Sequence, residues 1–230
     1  MYQGKNHSMK DLKDLDSFAL SSPTLHSTLI PKAQSTIMAC FKELKHSPKE
    51  VLSVNENWAT LFLREQGLSV TLLNEVDKTQ KYDTILGLDE TLCRYSSEAA
   101  QKQGIISLLN YLETDGLMLA SLRDYRNGNF HRRPLGDTVL NVIDSEDVVT
   151  VEVNVHNVQD KQAWNQKMYY IKNGVDFQTL NCGDRRTLYF KQLAKYCSDF
   201  GVSKFGVFKD IHWHGTWRRT PEHIAWVKGK

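Results

Sequence analysis

Residues able to do chemistry fall in four places along the chain. His212, Trp213 and His214 put two imidazoles on one face of an extended segment, with His223 further on, a pattern able to grip a divalent metal. No third ligand stands at a fixed spacing, and no Asp or Cys pair lies beside them, so no metal site is expected. The segment reads instead as a terminal strand and its connection, with Trp213 and Trp217 covering core or an interface. Asp89 and Glu90 close an apolar run, where they can orient an amine or meet the edge of a ligand, or else place negative charge at a helix start. Arg123, Asp124, Tyr125 and Arg126 close another. Tyr125 offers a π face to a cation, and ordinary loop residues are the equal alternative. The fourth place is the alternating set Ser53, Asn55, Asn57 and Ala59 after a short apolar strand, with Glu75 downstream.

The elements that must position these residues alternate. Apolar spacing predicts a helix over Gln34 to Leu44, closed by Pro48, after an N-terminal arm over 1–33. A strand follows over Glu50 to Val54, a helix over Trp58 to Gln66 ended by Gly67, and strands over Ser69 to Leu73 and Tyr82 to Leu88. Ser96 to Leu112 reads as a long helix capped at Ser96-Ser97-Glu98, and Gly116 to Leu122 as a fourth strand. This half predicts a parallel sheet covered by helices. The pattern then changes. Val149, Val151, Val153 and Val155 alternate with polar residues within a strand over Val148 to Val155. Strands over Met168 to Ile171 and Phe177 to Leu180 flank the turn signal Lys172-Asn173-Gly174, so an antiparallel cap is expected at about 139–181. A helix over Arg186 to Phe200 and strands over Lys204 to Lys209 and His223 to Val227 complete the chain. One domain over 34–230 follows.

Bulk composition narrows the function classes. The 230 residues carry 29 basic and 27 acidic side chains, a balance of +2 that gives no electrostatic argument for nucleic acid. The pairs Arg132-Arg133, Arg185-Arg186 and Arg218-Arg219 read as a solvated face before an anion site. No apolar run reaches the length of a membrane span, and Met1 to Ser22 lacks the apolar centre of a signal peptide, so a cytoplasmic protein is expected. Cys40, Cys93, Cys182 and Cys197 have no CxxC spacing and read as reduced, buried thiols.

Three segments carry a resemblance: Lys49 to Val54, Lys81 to Glu90 (KYDTILGLDE) and Asp115 to Tyr125 (DGLMLASLRDY). In this order, with a late antiparallel insertion, the chain resembles the class I S-adenosylmethionine-dependent methyltransferases, particularly the small-molecule N-methyltransferases. The resemblance implies a Rossmann-like, mostly parallel sheet with an antiparallel β cap. It places S-adenosylmethionine on the first loop, at Ser53, Asn55, Asn57 and Ala59, with Glu75 at its ribose and Asp89 at its edge. It places a small polar or anionic acceptor against Arg123, Tyr125 and Arg126. In that family the first loop reads Asp-x-Gly-x-Gly-x-Gly, and here every glycine is replaced. Asparagine tolerates a left-handed backbone, so Asn55 and Asn57 are expected to keep the turn, while they and Trp58 fill space that the cofactor's methionine part takes. Only six residues separate Glu75 from Tyr82, too few for the helix and strand usual there.

Two functions follow. One is methyl transfer, in which in-line placement of the nucleophile supplies most of the effect. The other is a binding or structural protein, with a protein partner or as a homo-oligomer, that kept the fold and lost the pocket.

Overall fold

The computed structural model describes residues 23–89, 91–122, 137–143, 148–156, 162–172, 176–213 and 222–230. Helix α1 (Pro23–Leu44) leads into β1 (Glu50–Ser53), α2 (Trp58–Glu65), β2 (Ser69–Leu72) and β3 (Tyr82–Gly87). Then come α3 (Glu98–Tyr111) and β4 (Leu112–Leu122), followed by β5 (Asp137–Ile143), β6 (Val148–His156), β7 (Ala163–Lys172) and β8 (Asp176–Arg186). The chain ends with α4 (Phe190–Asp199), β9 (Phe205–Trp213) and β10 (Glu222–Lys228).

Two sheets result. The larger has the order β2-β1-β3-β4-β10-β9. Its first four strands are parallel, and β10 runs antiparallel to both β4 and β9. The smaller is an antiparallel meander, β5-β6-β7-β8. The chain is therefore α/β, with a mostly parallel, Rossmann-like sheet flanked by helices and an antiparallel β insertion.

Strand periodicity explains the layering, because successive residues of a strand face opposite ways. Leu52, Ile85 and Met118 join α3 and α4 residues such as Ile105, Leu108 and Leu193 in one core. Their neighbours Val51, Leu86, Leu117 and Leu119 join Ile37, Cys40, Trp58 and Phe62 of α1 and α2 in the other. Cys40 and Cys197 are buried in these cores, and burial pushes both thiols up to about 12.

Several boundaries differ from the sequence reading. Helix α1 begins at Pro23 rather than Gln34 and carries Pro31 inside it. Strand β4 begins at Leu112. Asp115 adopts a left-handed φ of 60°, and the ladder with β3 jumps from Tyr82↔Leu112 to Thr84↔Leu117. A Cβ on the following Gly116 would lie 3.0 Å from the backbone oxygens of Asp83 and Glu113, so the bulge depends on that glycine. Arg186 ends a strand instead of starting a helix, because it pairs with Ala163 in the meander. The meander spans Asp137–Arg186 and includes β5, which the periodicity did not reveal. The turn at Asn173 and Gly174 lies outside the described residues.

Candidate functional site

Strands β1 to β4 run parallel and end at one edge of the sheet, and of the expected site residues Ser53, Asn55, Asn57, Glu75 and Asp89 lie at or follow those strand ends. Ser53 is the last residue of β1 and fully buried. Its hydroxyl donates to the carbonyl of Asn55 at 2.6 Å, and Thr60 donates to Ser53 Oγ at 3.1 Å. Asn57 is the N-cap of α2, its side-chain oxygen accepting from the Thr60 backbone N–H at 3.0 Å. Asn57 Nδ2 turns back to the carbonyl and the side-chain oxygen of Asn55, each at 3.4 Å. The loop's side chains thus satisfy one another.

Two expectations for this loop are corrected. Asn57 has φ −156°, and among the described non-glycine residues only Lys45, Asp89 and Asp115 have positive φ. The asparagines therefore do not imitate glycine's left-handed backbone; they cap and cross-link. Trp58 does not lean into the loop either. It is fully buried, with Ala59, in the core beneath α1 and α2.

Glu75 ends a short 3-10 turn, Leu73–Glu75, directly after β2 and is exposed. The chain returns from there to β3 with no intervening helix or strand, and among the described residues β2 is the edge of the sheet.

Asp89 follows β3 and holds a left-handed backbone, φ 56°. Its Oδ1 accepts from the indole N–H of Trp213 at 2.8 Å. That bond ties the carboxyl end of β3 to the carboxyl end of β9. Beside it, His212 and His223 stand opposite each other in the β9–β10 ladder, with ring centroids 5.2 Å apart. His212 also lines a groove of about 400 Å³ between α1 and β9, with Lys32, Ser35, Thr36, Ala39, Asp210 and Ile211. Glu90, Arg123, Tyr125, Arg126 and His214 lie outside the described residues.

The sequence reading missed a polar junction at the root of the meander. Arg185 and Arg186 are 6% exposed, so they are not the solvated face that their pairing suggested. Arg186 donates to Gln162 Oε1 at 3.0 Å and stands 3.6 Å from Glu98 at the start of α3. Gln192 of α4 donates to the same Gln162 oxygen, and Gln101 of α3 donates to the carbonyls of Leu92 and Arg186. Tyr196 donates to Glu98, and burial, then the Glu98 charge, push its phenol upward. Only the burial of the paired arginines could have signalled this junction, and periodicity does not report that.

A parallel sheet with an antiparallel penultimate strand, a first loop between β1 and α2, and an insertion before the last helix define the class. The chain has the fold of the class I S-adenosylmethionine-dependent methyltransferases. Solved structures sharing it include an S-adenosylmethionine-dependent methyltransferase from Clostridium acetobutylicum, with 12% identity, TM-score 0.58, and coverage of 87% of this chain and 92% of that one. A sugar N-methyltransferase from Streptoalloteichus has 10% identity and TM-score 0.60, over 100% and 96%. An amino pentose methyltransferase from Micromonospora echinaspora, solved with S-adenosylmethionine bound, has 8% identity and TM-score 0.57, over 100% of both chains. No family model and no curated protein matches the sequence. No helix among the described residues is long and apolar enough to cross a membrane.

Proposed function

We propose that this chain is a methyltransferase-fold binding protein whose S-adenosylmethionine site is closed by its own side chains. The observation that carries this reading is the bonded loop Ser53-Asn55-Asn57-Thr60. A nucleotide-type cofactor at the carboxyl edge of such a sheet needs a tight turn that lets backbone N–H groups approach it. Here the Asn57 side chain takes the Thr60 N–H at the start of α2, and Ser53 puts a hydroxyl, bonded inward, where the family has a carboxylate. Glu75 supports the same reading, since an exposed acid beyond an edge strand lacks a wall to hold a ribose against it. The residues present do not fit the cofactor.

A second reading, methyl transfer to a small polar or anionic acceptor, is favoured by one observation. The insertion leaves after β4 and returns through Arg186 against Glu98, at the carboxyl end of the sheet, where a lid over an acceptor would be rooted. Asp89 at that edge would then orient the acceptor.

Calorimetric titration with S-adenosylmethionine and with S-adenosylhomocysteine separates the two. The closed-site reading expects no saturable binding up to about 1 mM ligand, and a Kd near about 1 μM would overturn it.

A further inference from the structure

Among the described residues the large sheet ends at β2 on one side and β9 on the other, and the two strands are built differently. β9 carries the exposed charges Lys209 and Asp210 at its middle. In its ladder with β10, residues 208–211 stand opposite Ile224 alone, a pronounced bulge. Helix α1 lies along it, and Thr36 donates to the His212 carbonyl at 3.4 Å. Charge, bulge and helix cover are three devices that stop another strand from adding to an edge.

β2 has neither a charge of its own nor a bulge, and among the described residues the one side chain bonded to its outer edge is Arg64 of α2, at the Val70 carbonyl. From Gly67 to Asn74 the chain reads Gly-Leu-Ser-Val-Thr-Leu-Leu-Asn, without a charge or a proline. Ser69 is exposed and Val70, Thr71 and Leu72 are half-buried. The short connection from Val76 to Lys81 adds no element beside it. An uncharged, β-prone strand at an edge that no other strand pairs with among the described residues is a template for pairing.

We propose that β2 is a self-association edge, to which a second copy of this chain adds its own β2 antiparallel, making one sheet continuous across a twofold axis. The symmetry restricts the register. An axis perpendicular to the sheet keeps each residue on its own face, so only residues of the same parity can stand opposite. Centring on Thr71 sets it against the partner's Thr71 and sets Val70 against the partner's Leu72, with the reciprocal pair on the other side. Thr–Thr and aliphatic cross-strand pairs are both favourable. The same operation on β9 would oppose Lys209 or Asp210 with its own copy, which is repulsive. One surface contact must yield: Arg64 donates to the Val70 carbonyl at 3.4 Å from an exposed position. Pairing at this edge does not depend on whether the β1 loop binds a cofactor.

Sedimentation of the full chain tests it. The wild type is expected to form a reversible dimer, and Thr71→Lys or Thr71→Glu to weaken it by at least about tenfold, by opposing like charges at the axis. Mixing the two variants should restore a heterodimer, because lysine then faces glutamate. Thr71→Cys, a small change at the same position, should yield a disulfide-linked dimer on oxidation, since directly opposed residues lie within disulfide reach. Three results would overturn the proposal: a wild type that stays monomeric at about 100 μM, a dimer indifferent to both charge variants, or an oxidised Thr71→Cys protein with no cross-link between the two substituted positions.

Discussion

Asn57 accepts the backbone N–H of Thr60 at 3.0 Å, while Thr60 Oγ1 reaches back 3.1 Å to Ser53. One helix start is thereby fastened to the end of the strand before it. Asn57→Ala removes the cap and should cost about 1 kcal/mol, measured by urea unfolding. A loss within about 0.3 kcal/mol would mean that the cap does not hold the loop.

Asp89 and Trp213 join the carboxyl ends of β3 and β9 at 2.8 Å. Trp213→Phe keeps most of the buried ring and deletes the donor, so a loss of about 1 to 2 kcal/mol is expected. Asp89→Asn should cost less, because the amide oxygen still accepts and asparagine tolerates the left-handed backbone. Equal losses in the two variants would remove the hydrogen bond as the cause.

His46 lies at the opposite edge of the sheet. Thr84 gives its hydroxyl hydrogen to Asp83 at 2.6 Å, so the His46 Nε2–H at 2.7 Å is the donor to Thr84. Burial holds this imidazole below its ordinary 6.5, with Asp83 pulling it back up and Lys228 lowering it further. The unfolded chain therefore takes the proton first as pH falls. Stability should decline from about pH 6.5 downward until the folded histidine also protonates, and His46→Gln should remove that component. Unfolding curves at about pH 7.5 and about pH 5.5 decide it: the same pH dependence in both proteins would exclude His46 as the source.

Arg186 holds the exit of the meander. Arg186→Ala takes a charged donor from Gln162 and a counter-charge from Glu98, and should cost about 1.5 to 3 kcal/mol. Faster amide exchange confined to β7 and β8 would accompany it. Unchanged exchange there would show that the meander is mounted elsewhere.

How much of this was legible depends on the distance over which a residue acts. The β1 to β4 core was readable because Val51, Leu86 and Leu117 sit in short apolar runs between turn signals, and Ser97 and Asn57 precede helices in the pattern of caps. The capping role of Asn57 was nonetheless misread as turn chemistry, since asparagine suits both and only the backbone angle separates them. Sequence neighbours suggest that Trp58, at the start of the expected helix, fills the space beside Asn55 and Asn57, whereas the helical turn carries its side chain into the core. The Asp89–Trp213 bond spans 124 residues, and the burial of Arg185 and Arg186 depends on two helices that sequence periodicity cannot bring together. Partner choice over such distances is set by packing, which a single sequence does not display.

The closed loop makes the sharpest test. Asn55→Gly with Asn57→Gly removes the amides that cross-link Asn55, Asn57 and Thr60, and returns two positions to the residue type that tight cofactor turns use. Stability should fall, by about 0.5 to 1 kcal/mol for each glycine through backbone entropy, with a further few tenths for the weakened cap. If the asparagine side chains are what closes the site, affinity for S-adenosylmethionine should rise at least about tenfold over the wild type, read by calorimetry on folded protein. Ser53 sets the limit on that gain, because its buried hydroxyl stays where the family has a carboxylate, so no turnover is expected from the double variant. The opposite pattern, tight binding by the wild type that the glycines abolish, would make the asparagines cofactor ligands and return the chain to the enzymes.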